Sequence, residues 1–195
     1  SWLQKRFQLN TGVINPDSQV LPVCGTREAI FAFTQAMVSP ATTSRAPVVV
    51  SPNPFYQIYE GAALLAGAEI VYLNCTVENN FIPDLMDVPV DVWQRCELLQ
   101  LCSPGNPTGY LYSKDEIMQL AAMVKKHDLF LIADEVYREF VYDENEKHYS
   151  IMNIEGIEEN AIMIDSVSKR YSMCGARIGC IVSKNAAVMS TAMKF

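Results

Sequence analysis

The 195-residue chain is 50% hydrophobic and 19% charged, which supplies a core for one domain and excludes a disordered tail. Fifteen Lys and Arg against 22 Asp and Glu leave a net charge of −7, which argues against a protein that coats nucleic acid or an anionic membrane. A local basic pocket for one phosphate remains compatible with that balance.

Short apolar, β-branched runs recur along the chain: VLPV (20–23), PVVV (47–50), EIVYL (69–73), ELLQL (97–101), LFLIAD (129–134), AIMID (161–165) and RIGCIV (177–182). Most are apolar on both faces, as strands are when helices cover both sides of a sheet. Helical patterns lie between them. After Thr26, the residues Ile30, Phe33 and Met37 fall on one stripe. The pattern over 57–66 ends at Gly67, a residue suited to the left-handed turn that closes a helix. Ser113 and Glu116 have capping-box spacing, and Ile117, Leu120, Ala121 and Val124 then share a face. Strands alternating with helices predict an α/β fold on a mixed, mainly parallel sheet of about seven strands. Neither a repeat nor a Gly/Ser-rich linker divides it, so 1–195 reads as one domain. In such sheets ligands bind beyond the carboxyl ends of the strands, and the residues there carry the functional information.

Five segments stand at those ends. In Gly25-Thr26-Arg27, backbone N–H groups at a helix start and a Thr hydroxyl suit a phosphate or carboxylate, or else make a plain Thr N-cap. In SPNPFYQIY (51–59) two prolines impose an extended approach, and Tyr56 either stacks on a planar ring or packs into the core. SPGNPTG (103–109) is a rigid turn that presents the Asn106 amide to a ligand or uses it to complete the turn. Asp134 ends a fully apolar run, which is costly unless a cation pairs with it or it caps a following helix. Lys169, after Ser166-Val-Ser168, has the position of a nucleophilic amine, although a lone Lys is ordinarily a solvated surface residue. Arg177 offers a planar fork for a phosphate or a surface ion pair.

The six cysteines include no CxxC pair, and only His127 and His148 stand by to assist them, so a metal centre is not expected. Free thiols in apolar runs point to a reducing cytoplasm. No run approaches the ~20 apolar residues of a membrane span. The opening SWLQKRF lacks both the layout of a secretory signal and an initiator Met, so a processed, trimmed or partial chain is expected.

Taken in order, SPGNPTG, the ADEVY strand end and SVSKRYSMCGARIG, with Ser-x-Ser-Lys and an Arg eight residues beyond the Lys, resemble the class I aminotransferase family of fold-type I pyridoxal-phosphate enzymes. The resemblance runs over nearly the whole chain. LPVCGTREAIFAF and LLQLCSPGNPTGYLYS look closer to succinyl-diaminopimelate aminotransferases, and the part after about Lys114 looks closer to aspartate aminotransferases. It implies a three-layer α/β/α large domain binding pyridoxal 5'-phosphate. Lys169 then forms the internal aldimine and shuttles the proton between Cα and C4′. Asp134 keeps the pyridine nitrogen protonated, so that the ring accepts electrons. Tyr137 and Asn106 bond the phenolate oxygen, and Tyr56 stacks on the ring. Gly25, Thr26, Ser166 and Arg177 hold the phosphate, with Ser168 supporting that cup.

The implied activity is a ping-pong exchange of an amino group between an amino acid, of aspartate or succinyl-diaminopimelate type, and a 2-oxo acid, by a cytoplasmic homodimer. The rivals are β-elimination or decarboxylation on the same scaffold, or a truncated, non-catalytic cofactor-binding fragment. Cys24 stands where relatives often carry Ser or Asn, which implies one weaker phosphate bond. Family members also continue into a small domain, with an Arg for the substrate carboxylate, and begin earlier. The expectation is therefore most of a large domain, able to bind cofactor without enzyme-like turnover.

Overall fold

The computed structural model describes residues 14–39 and 45–194; the SWLQKRF opening lies outside them. The chain forms β1 (Val20–Val23), α1 (Thr26–Met37), β2 (Val48–Asn53), α2 (Ile58–Leu65), β3 (Glu69–Asn74), α3 (Val90–Trp93), β4 (Cys96–Cys102), α4 (Lys114–His127), β5 (Phe130–Asp134), β6 (Ala161–Ser166), α5 (Val167–Arg170), β7 (Gly179–Ser183) and α6 (Ala186–Ala192). Each of the seven apolar runs became a strand. They form one sheet in the order β1-β7-β6-β5-β4-β2-β3.

Every neighbouring pair is parallel except those made by β7, which runs against both β1 and β6. Gly179, at the start of β7, pairs with Val23 and Ser166, at the ends of β1 and β6. The reversal therefore brings the segment preceding β7 to the carboxyl edge of the other strands.

Side chains that alternate along the strands feed two separate cores. Leu99, Leu131 and Met163 face α4 on one side, with Ile117, Leu120 and Val124. Leu98, Ile132 and Ile164 face α1 and α2 on the other, with Ile30, Phe33 and Tyr59. Burial on both faces is why the strands read as continuous apolar runs rather than as alternating ones. Ile30 and Phe33 are fully buried, and Met37 is half-buried at the end of their stripe. Among the described residues no helix is long and apolar enough to cross a membrane.

Helix ends follow local chemistry. The Ser113 hydroxyl accepts from the Glu116 N–H at 3.3 Å, and the Glu116 carboxylate accepts from the Ser113 N–H at 2.8 Å, so the expected capping box is formed. Ser113→Ala should cost about 1 kcal/mol of stability, measured by urea unfolding. An unchanged midpoint would show that tertiary packing alone holds α4. At α1 the outcome differs from a Thr cap. Gly25 is the N-cap, with no side-chain cap bond, and Thr26 is the first helical residue. Gly25 adopts φ 106 and ψ 156, a region open essentially to glycine alone.

Candidate functional site

At the carboxyl edge of the sheet a cavity of about 430 Å³ is lined by every residue of the expected set except Gly25. Its members come from five separate stretches of chain, and strand register accounts for their convergence. Asp134 ends β5 and pairs with Cys102 on one side and Ile164 on the other, which places it near the middle of the sheet edge.

One end of the site is cationic and rich in N–H groups. Gly25 and Thr26 open α1, Ser166 and Ser168 open α5, and Arg177 lies between them on the segment leading into β7. Arg177 occupies the left-handed region at φ 54, uncommon for a non-glycine residue. Its Nη2 donates to the Cys24 carbonyl and its Nη1 to the Cys174 carbonyl, each at 3.0 Å. The guanidinium thus spans two backbone carbonyls. A Cβ at Gly25 would lie 2.1 Å from Arg177 Nη2, so glycine is what admits the cation to the helix start.

The site also holds a buried acid. Asp134 is 3% exposed; it accepts from the Tyr59 hydroxyl at 2.8 Å and from the Val136 N–H at 3.4 Å. Burial pushes its carboxyl up to about 6, against the lowering effects of those two bonds and of the Lys169 charge. The Val136 contact is the capping role available from sequence, but a turn rather than a helix follows. Lys169 Nζ lies 5.7 Å from the centre of the Tyr137 ring. Burial raises the Tyr137 hydroxyl, and the Lys169 charge opposes that rise. Tyr56 sits at the cavity wall with its ring edge-on to Tyr59 at 6.0 Å. Asn106, in the SPGNPTG turn, lines the same wall.

Sequence reasoning missed three contributors. Tyr59 is the hydroxyl partner of Asp134, and its only sequence signal is the three-residue spacing from Tyr56. Asp165 and Arg170 form a buried pair beneath the Lys169 segment. Glu135 turns away from the cavity, where Ser150 Oγ and the Ile151 N–H both donate to it at 2.9 Å and burial raises it to about 8. A larger, mostly apolar cavity of about 630 Å³ lies beside α4, where Pro52, Leu73 and Leu101 of β2, β3 and β4 line it with Leu120 and Met123. It contains none of the expected residues, so it is set aside as the site. Among the described residues no group of three or more His, Cys, Asp or Glu gathers to hold a metal.

The family model described as aminotransferase class I and II matches residues 3–195. The chain belongs to that family. The LL-diaminopimelate aminotransferase of Dehalococcoides mccartyi is 34% identical over 194 residues, covering 100% of this chain and 47% of that protein. An aminotransferase of Neisseria meningitidis superposes with a TM-score of 0.88 at 34% identity, covering 99% of this chain and 48% of the other. The aminotransferase AspB of Helicobacter pylori gives a TM-score of 0.82 at 31% identity, covering 99% and 50%. The chain therefore spans about half the length of the relatives it matches. These class I and II aminotransferases share the seven-strand α/β architecture read from the sequence.

Proposed function

We propose that the cavity holds pyridoxal 5'-phosphate, that residues 1–195 are the cofactor-binding large domain of an aminotransferase, and that the reaction moves an amino group between an amino acid and a 2-oxo acid. One observation carries this reading: a cationic, N–H-rich cup, a buried carboxylate and a primary amine converge on one cavity of about 430 Å³. The volume is that of a small-molecule site. The residues present fit the group. Gly25 leaves the space that its Cβ would deny to the Arg177 guanidinium, and the buried Asp134 gains stabilisation from a cationic ring nitrogen.

When bound, pyridoxal phosphate supplies an aldehyde for amines and a protonated ring that withdraws electrons from a substrate Cα. This chain provides the rest. The α1 N-terminus, Ser166 and Arg177 bind the phosphate, with Ser168 beside them. Asp134, oriented by Tyr59, holds the proton on the ring nitrogen. Asn106 and Tyr137 would offer hydrogen bonds to the ring oxygen, and Tyr56 would shield the ring from water. Lys169 Nζ would be the amine that holds the group through its aldehyde and the base that takes and returns a substrate Cα proton.

The name of the Dehalococcoides relative supports a donor of diaminopimelate type. A soluble homodimer completes the proposal. The reaction is tested by loading the protein with cofactor, adding aspartate, glutamate or LL-diaminopimelate, and locating the amino nitrogen. Appearance of pyridoxamine phosphate with an equal amount of 2-oxo acid is expected. Release of ammonia or carbon dioxide in its place would assign elimination or decarboxylation instead.

A further inference from the structure

Helix α5 is four residues long, too short to hold its own geometry. Its first turn is tied at the N-terminal end, where Ser166 Oγ accepts from the Ser168 N–H at 3.2 Å and the Val167 N–H donates to the Ile178 carbonyl at 3.3 Å. Its C-terminal end is tied by Arg170. One guanidinium nitrogen, Nη2, bonds both Asp165 carboxylate oxygens at 3.0 and 2.9 Å, and the two side chains are only 5% and 2% exposed. Glu139 approaches the same guanidinium, with Oε1 at 3.9 Å from Nε.

Consecutive residues on a helical turn point about 100° apart. With Arg170 locked inward onto the strand end, its chain neighbour Lys169 is rotated outward, and its amine stands over Tyr137 in the cavity. We propose that the Asp165–Arg170 pair is a positioning device that fixes the rotation of α5 and so aims Lys169 Nζ into the site. The pair lies outside the set expected from sequence, touches neither end of the cavity directly, and acts through Lys169. The inference rests on the cofactor reading of Lys169 for its consequence, but not for its geometry.

Two variants and two readouts test it. Arg170→Lys keeps the charge and a single donor. The double replacement Asp165→Leu with Arg170→Met removes both buried charges and leaves neither unpaired, a change that cores commonly tolerate. Folding is checked by circular dichroism and the melting midpoint. The first readout is the rate at which pyridoxal phosphate becomes borohydride-trapped on the Lys169 peptide. The folded double variant should label Lys169 about tenfold to hundredfold more slowly, because a small misplacement of a reacting group costs that much. Arg170→Lys should recover part of the rate.

The second readout uses the cofactor-free protein, in which Tyr137 faces Lys169, Asp134 and Cys102. Its ionisation is followed by ¹³C-tyrosine NMR and assigned with Tyr137→Phe. Loss of the Lys169 charge from beside it should raise the Tyr137 midpoint in the double variant. A folded double variant with wild-type labelling and an unmoved Tyr137 midpoint would reduce the pair to a structural tie and overturn the inference. A moved Tyr137 midpoint in a protein that never labels Lys169 would instead uphold the positioning and remove the cofactor reading.

Discussion

Asp134→Asn is expected to stabilise the cofactor-free protein at neutral and alkaline pH while weakening its hold on pyridoxal phosphate. Burial raises the folded-state pKa of Asp134 to about 6, whereas an unfolded Asp titrates near ~3.9. Between those values the folded state binds the extra proton, so the stability contributed by this group is full below about pH 4 and is lost as pH rises through about 6. Above that, the buried carboxylate costs on the order of 1–3 kcal/mol, which the neutral amide avoids. Glu135, raised to about 8 by burial, adds a loss of the same sign that extends about two pH units further. The urea midpoint of the wild-type chain should thus fall from acid to alkaline pH, and the gap to Asp134→Asn should widen in parallel. In the loaded protein the sign reverses. A charge-assisted bond to a ring nitrogen is worth about 1.5–3 kcal/mol, so the variant should bind cofactor roughly tenfold to a hundredfold more weakly. An Asn variant that is less stable at alkaline pH, with cofactor affinity unchanged, would show Asp134 to be a structural acid.

Gly25→Ala should produce the second large effect, and it should be specific to the phosphate. The new methyl would fall 2.1 Å from Arg177 Nη2 and 2.9 Å from Cζ, so the guanidinium must leave its place. The backbone at φ 106 and ψ 156 adds a penalty of about 1–3 kcal/mol for any side chain there. Losing the Arg177 contact and distorting the first N–H groups of α1 should weaken pyridoxal phosphate binding by about tenfold to a hundredfold, from charge-assisted bonds of ~1.5–3 kcal/mol. Pyridoxal, which lacks the phosphate, should bind wild type and variant alike. Titrations with both ligands check this; an equal loss for pyridoxal would move the phosphate away from the Gly25–Arg177 end.

Much of this was legible in the residues. The runs apolar on both faces announced a covered sheet, because side chains of Leu131 and Ile132 enter opposite cores. The capping box marked the start of α4, because its bonds are local. Strand direction was not legible. Arg177 opens its own run and reads equally as a phosphate fork or a surface ion pair; the reversal of β7 is what brings it beside Gly25. Gly25 rather than Thr26 caps α1, since glycine alone tolerates the backbone that Arg177 requires there. Tyr59 and the Asp165–Arg170 pair escaped because their partners lie across the fold or beneath a one-turn helix, and pattern carries no such information.

The central claim is that Lys169 is the amine of a pyridoxal-phosphate site. Borohydride reduction of the loaded protein followed by peptide mapping tests it most directly. The label should appear on the Lys169 peptide and disappear in Lys169→Ala, with Asp134→Asn reducing its amount at limiting cofactor. A label on Lys125 or Lys126, which stand on the far end of α4, or on no lysine, would contradict the account.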